Sequence, residues 1–188
     1  MKNKWDQDPN LVKLYQNIYL YKGFLNKHLV EKYTRRLDSL MEEEWQTHYD
    51  SNPGDIDDMP FKDRLSLDII SADFHDELLN FFAPSHWMYE HTNFVRLSKG
   101  QSFGPENNDR FFINNHPIAD YKISLYLGDF KGGKVCFPNQ EVEYQPEAND
   151  LLIFKVDKDY IHEVKEVESG VRYSYIDYLI HHPGYFFA

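Results

Sequence analysis

In the stretch HEVKEVESGVRYS, His162 is followed ten positions later by Arg172 and two positions after that by Ser174. These side chains suit one kind of chemistry. An imidazole nitrogen binds a metal ion, and a planar guanidinium grips a carboxylate through two parallel charge-assisted hydrogen bonds. A serine hydroxyl adds a third bond. Glu168, Ser169 and Gly170 read as a three-residue hairpin loop with Gly170 in the left-handed position. On that register Val167 pairs with Val171, His162 lies opposite Ile176, and alternation puts His162, Arg172 and Ser174 on one face. His162 and Arg172 would then stand roughly 13 Å apart at the backbone, a gap that a metal ion, a short dicarboxylate and the arginine arm would fill. Two plainer readings stand beside this one. The histidine is a packed strand residue, or the arginine is the buried partner of Glu163 or Glu166.

The elements that must position these residues are legible from periodicity. QNIYLYKGF has strand composition, and Asn26 then sits where a helix N-cap belongs. Leu29, Val30, Tyr33, Leu37, Leu40 and Met41 follow at spacings of three and four, which predicts a helix from 27 to about 45. HYDSNPGDIDDMPFKD is rich in Asn, Pro, Gly and Asp and predicts a long surface loop. Leu67, Ile70, Phe74 and Leu78 resume the helical period until Pro84 stops it. From residue 88 the texture changes to short runs rich in Tyr, Phe, Val and Ile, among them YKISLYL, KVCFP, LLIFKV and RYSYIDYLI. The fold class expected is mainly β with flanking α-helices, a sandwich or barrel with two N-terminal helices packed outside, in a single domain over 1–188. The closing HHPGYFFA carries three aromatics that pack either on the chain's own sheet or into a neighbouring subunit.

Composition excludes several function classes. Aromatics reach 16% and apolar residues 41%, so the chain has the means to build a core and is not disordered. Cys136 is the only cysteine, which rules out an internal disulfide and a thiolate metal cluster. The net charge is −11, and from Glu42 to Glu77 twelve acidic residues face only Lys62 and Arg64. Such a surface repels a phosphate backbone, so no nucleic-acid partner is expected. It is either a solvated face or a docking patch for a basic partner. No apolar run is long enough to span a bilayer, and MKNKWDQDPN lacks a signal-like apolar stretch, so a soluble intracellular protein without a membrane partner is expected.

The stretch YLGDFKGGKVCFPNQEVEYQPEANDLLIFKVDKDYIHEVKEVESGVRYS resembles the C-terminal half of the 2-oxoglutarate and Fe(II)-dependent dioxygenases of the prolyl 4-hydroxylase type. The likeness rests on Tyr126-Leu127, Gly132-Gly133, Phe137-Pro138, Pro146, Leu151 to Phe154, His162, and Arg172 to Ser174. Gly23 to Leu25, leading into the first helix, fits as well, and Asn149 stands where the family usually turns on glycine. The resemblance implies a double-stranded β-helix, or jelly-roll. It also implies Fe(II) and 2-oxoglutarate as cofactors, with His162 on the metal and Arg172 and Ser174 on the distal carboxylate of 2-oxoglutarate. The chain is also similar to short oxygenase-like proteins of cyanobacterial and other tailed phages.

In that family the other two ligands form His-x-Asp, six and eight residues after a strand-ending glycine. Counted from Gly100, these positions hold Glu106 and Asn108. One imidazole has become a carboxylate and the carboxylate a neutral amide, so iron affinity should fall steeply. Asp109 or His116 in the following loop are the substitutes within reach. The first expectation is therefore a non-catalytic jelly-roll without iron, engaged in binding or assembly with protein partners or neighbouring subunits, with a phage virion as one setting. The alternatives are an active hydroxylase with an unusual ligand set, and a module that binds a carboxylate ligand without metal.

Overall fold

Glycine, proline and asparagine break the β-rich runs into short strands, which a computed structural model assembles into two facing sheets. The structure describes residues 5–48, 61–65, 72–82, 86–88, 93–106, 112–113, 116–117 and 119–180. Of these, 46–48, 61–65, 72, 87–88, 106, 112–113 and 116–117 are described by backbone alone. The N-terminal half contributes β1 (Leu11–Tyr15), β2 (Ile18–Tyr21), helix α1 (Lys27–Asp38), β3 (Gln46–His48), β4 (Phe61–Leu65) and helix α2 (Ala72–Phe82). There follow β5 (Trp87–Met88), β6 (Asn93–Ser98), β7 (Phe103–Glu106), β8 (Phe112–Ile113), β9 (His116–Pro117) and β10 (Tyr121–Leu127). The last part holds β11 (Phe130–Gly132), β12 (Val135–Phe137), β13 (Val142–Tyr144), β14 (Leu151–Lys155), β15 (His162–Val164) and β16 (Val167–Ile180).

The larger sheet runs β1-β2-β14-β10-β16-β6-β4-β3, and the smaller one β13-β12-β15-β7. Every described pairing is antiparallel. This is the expected mainly β jelly-roll with two flanking helices. Strand alternation divides its interior. Ile123, Leu125 and Leu127 of β10 and Tyr173, Tyr175 and Leu179 of β16 face Leu29, Tyr33 and Leu37 of α1 and Phe74, Leu78 and Phe82 of α2. Each such large apolar side chain contributes about 1.5–3 kcal/mol by leaving water. The alternate residues of the same strands turn to the space between the sheets, with Tyr126, Val135, Phe137, Leu152 and Phe154 forming a second core there.

Several local expectations are met and others corrected. Asn26 caps α1 by accepting the Leu29 amide at 3.0 Å. The helix ends at Asp38 rather than near 45, because the Ser39 amide bonds Arg35 and Arg36 carbonyls and tightens the exit. Leu40 stays buried beyond that end, whereas Met41 is 66% exposed. The ends of the expected 48–63 loop are strands, since β3 and β4 pair with each other and β4 pairs with β6. Its centre, Leu67, Ile70 and the 181–188 aromatics lie outside the described residues. Asn149 does take the left-handed conformation, at φ 74°. Its amide also grips Leu25, accepting from the backbone nitrogen at 2.7 Å and donating to the carbonyl at 2.8 Å.

A candidate carboxylate site between the two sheets

The hairpin expected around Gly170 does not form. His162 lies in the smaller sheet, where β15 pairs with β12 and β7, while β16 lies in the larger sheet between β10 and β6. Successive strands of a jelly-roll alternate between sheets, and Lys165 and Glu166 carry the chain across. Gly170 is left-handed as expected, at φ 77°, but it pairs with Phe130 and lies so close to Asp129 that a Cβ would fall 2.0 Å from its carbonyl. The three residues still converge. His162 looks across the interior at the face carrying Arg172 and Ser174, and all three line one cavity.

The larger sheet provides most of the wall. On β10 the inward residues are Lys122, Ser124 and Tyr126, and on β16 they are Arg172, Ser174 and Ile176. The register levels Lys122 with Tyr178, Ser124 with Ile176 and Tyr126 with Ser174. Arg172 is 3% exposed and its guanidinium carbon lies 4.7 Å from the centre of the Tyr126 ring. Among the described residues its Nε finds no hydrogen-bond acceptor. Burial pulls its pKa below the ordinary arginine value, with Tyr126 acting in the opposite direction. Glu163 and Glu166 are not its partners, since Glu163 pairs with Lys165 at 2.5 Å and Glu166 is exposed. Among the described residues no carboxylate stands beside this guanidinium, which leaves it able to receive an anion. Gly133 makes room for it, because a Cβ there would lie 3.2 Å from Arg172 Cδ.

At the other end of the cavity, His162 is 5% exposed and packs against Phe154 and Phe137, with ring centroids 4.7 and 5.9 Å away. Lys122 is 2% exposed, and its Nζ lies 3.2 Å from His162 Nε2. Sequence reasoning overlooked this lysine. The signal was present in YKISLYL, where the alternate residues Lys122, Ser124 and Tyr126 form a polar stripe on an otherwise apolar strand.

The register sets Glu106 directly beside His162, so the counting from Gly100 reached a position next to the histidine. The Glu106 side chain, Asn108 and Asp109 lie outside the described residues, and His116 is described by backbone alone in β9, opposite Ile113. Among the described residues no three His, Cys, Asp or Glu side chains are grouped to hold a metal. Among the described residues the surroundings of His162 are a poor fit for Fe(II): its Nε2 lies 3.2 Å from Lys122 Nζ, and an ammonium has no lone pair to give a metal.

Residues 91–179 match the sequence profile of the 2OG-Fe(II) oxygenase superfamily. No curated protein is significantly similar in sequence. Among solved structures, the chain resembles a 2OG-Fe(II) oxygenase family oxidoreductase from Burkholderia pseudomallei, with TM-score 0.66 and 13% identity over 89% of this chain and 87% of that one. A Trichoplax adhaerens prolyl hydroxylase bound to a hypoxia inducible factor peptide gives TM-score 0.63 and 13% identity, covering 88% and 84%. A Pseudomonas putida prolyl-4-hydroxylase gives 0.57 and 17%, covering 88% and 93%. At these identities the likeness establishes the fold. Among the described residues no helix is long and apolar enough to cross a membrane.

Proposed function

We propose that this chain is a 2-oxoglutarate oxygenase-type jelly-roll that keeps the pocket for a small carboxylate but binds rather than hydroxylates. The observation that carries this reading is the 3.2 Å contact between Lys122 Nζ and His162 Nε2, at the residue that resembles the family's metal-binding histidine. The buried Arg172, facing the same cavity with no carboxylate beside it among the described residues, supports retention of the ligand pocket. Ser174 is 5% exposed on the same strand face and supplies a hydroxyl next to that guanidinium. Its role is binding or assembly, with protein partners or neighbouring subunits, and a phage particle is one setting for it.

The test has two arms. Thermal melting in a chelator-containing buffer should rise on addition of 2-oxoglutarate, because a ligand held only by the folded state shifts the midpoint. Incubation with Fe(II) and 2-oxoglutarate should yield no succinate above a protein-free control. Succinate formation that His162→Ala abolishes would reverse the reading in favour of an active hydroxylase. That second reading has one observation of its own, the pairing of Glu106 beside His162, which sets a carboxylate-bearing residue next to the imidazole strand. For the assembly role, a strictly monomeric protein at all concentrations, by sedimentation, would count against self-association.

A further inference from the structure

We infer that Trp5 and His86 form an acid-sensitive latch, which holds the turn before β1 against the end of α2 near neutral pH and releases it as pH falls. Trp5 opens a short 3₁₀ turn, Trp5–Gln7, and is 2% exposed. His86 lies just past α2 and is 4% exposed. The indole Nε1–H of Trp5 donates to His86 Nδ1 at 3.2 Å in this buried setting. The backbone anchors both ends of the contact. The His86 amide donates to the Phe82 carbonyl at 3.2 Å, and the Asp8 amide to the Trp5 carbonyl at 3.1 Å. Around the bond, Trp5 meets Tyr19, Phe82 and Tyr121 edge-on, with centroids 5.4, 5.7 and 5.2 Å away, and His86 meets Tyr121 at 5.7 Å.

The proton placement follows from the donor. An indole nitrogen donates and has nothing to accept with, so the bond requires a lone pair on Nδ1. Whatever the other ring nitrogen meets, the imidazole making this bond is neutral. Protonating Nδ1 sets two N–H groups against each other inside the protein, and burial also disfavours the charged ring. Histidine is the side chain whose ordinary range lies between pH 5 and 8. The phenols packed here stay protonated throughout that window: Tyr121 of β10 is raised to about 12 and Tyr19 of β2 is raised too, each chiefly by burial. Carboxylates of this neighbourhood are Asp6, exposed on the turn, and Asp120, which precedes β10; both act on Tyr121. Their negative charge favours a charged imidazole, yet a proton on Nδ1 breaks the bond to Trp5 at whatever pH it arrives. The latched state holds no proton at Nδ1, whereas a released histidine takes one below about pH 6.5. Latching is therefore at full strength above about pH 7 and weakens as pH falls, by up to about tenfold in equilibrium constant per pH unit. Release frees the turn that leads into β1, which ends the larger sheet among the described residues, and uncovers the rings of Tyr19, Phe82 and Tyr121.

The experiment follows the full chain by NMR between about pH 7.5 and 5.5, reading hydrogen exchange at the indole N–H groups of its three tryptophans and the ring signals of His86. The Trp5 indole, identified by its absence in Trp5→Phe, should lose about tenfold of its protection over that range once intrinsic exchange is corrected for, while the buried Trp45 indole keeps its own. His86→Gln retains an acceptor for the indole without a titrating ring, so its Trp5 protection should be the same at both ends of the range. Trp5→Phe removes the donor that demands the lone pair, and the His86 titration should then move to higher pH. Trp5 protection that does not change in the folded wild type overturns the inference. So does an equal loss in His86→Gln, which would put the sensitive group elsewhere. If His86→Gln does not fold, wild type against Trp5→Phe decides: a His86 titration identical in the two breaks the coupling on which the latch depends, and a shift to higher pH upholds it.

Discussion

Replacing Arg172 by methionine should stabilise the ligand-free protein, and the size of the effect follows from what surrounds the guanidinium. The side chain is 3% exposed, no described carboxylate pairs with it, and its Nε lacks an acceptor. A desolvated ion without a counter-charge costs several kcal/mol even after relaxation. A buried unsatisfied donor adds about 1–3 kcal/mol. Against this, the contact with the Tyr126 ring returns about 2 kcal/mol when desolvated, and the hydrogen bond to the Tyr126 side chain about 1.5–3 kcal/mol. Methionine keeps the length of the stem and its packing over Gly133. The net expectation is a gain of about 1–3 kcal/mol, or roughly 3–9 °C in melting temperature for a domain of this size. Urea unfolding and calorimetry on ligand-free protein would measure it. With 2-oxoglutarate at a hundred times its dissociation constant, the wild type gains about 2.7 kcal/mol and the variant nothing, so the difference between them closes or reverses. A variant that melts below the wild type without ligand would refute the reasoning and make Arg172 a structural residue whose packing outweighs its desolvation.

Further outcomes follow from single positions. Asn149→Gly keeps the left-handed backbone but loses both bonds to Leu25, and should cost about 1–3 kcal/mol in urea unfolding. Asn149→Ala should cost about 1 kcal/mol more, because alanine also resists φ 74°; equal losses would show that the conformation carries no strain. Gly133→Ala, at φ 64° and with a Cβ 3.2 Å from Arg172 Cδ, should lower stability by about 1–2 kcal/mol and weaken carboxylate binding, both readable by melting with and without 2-oxoglutarate. Burial raises Tyr121 to about 12 and pushes Tyr126, Tyr144 and Tyr173 up as well, the last two also through Asp150 and Asp38. Above pH 10 the folded state therefore holds protons that the unfolded state has lost. Stability should be fully present below about pH 10 and fall as pH rises toward the raised values. Absorbance titration of tyrosinate alongside urea midpoints at pH 9 and 11 would check this, and ordinary ionisation of these four without unfolding would contradict it.

The repeating patterns were legible because they are local. The three-and-four spacing from Leu29 to Leu37 needs nothing beyond one helix to become a buried stripe, and it became one. The cap at Asn26 and the left-handed backbone conformations at Asn149 and Gly170 depend on a few consecutive backbone angles, and all three are found. Extrapolation failed where the partner was distant in sequence. The hairpin at Gly170 was a sound local guess, but β10 and β6 offered β16 a longer edge on each side, and the chain crossed to the other sheet. Residues 61–63 looked like loop because Asn, Pro, Gly and Asp precede them, yet a strand edge at β6 recruited them into β4.

For the site itself, the sequence determined which chemistry was on offer: one imidazole, one guanidinium with a neighbouring hydroxyl, and a glutamate and an amide where the resemblance places the other two ligands. Those are properties of residue types and intervals along the chain. Only the tertiary structure decided that His162 and Arg172 belong to different sheets and face one cavity, and that Lys122, forty residues before the histidine, ends 3.2 Å from it. Alternation says which side of a strand a lysine leaves from, but what it meets depends on how two sheets stack. That stacking is settled by the burial of both apolar faces at once, a sum over the whole core that no short stretch of sequence contains.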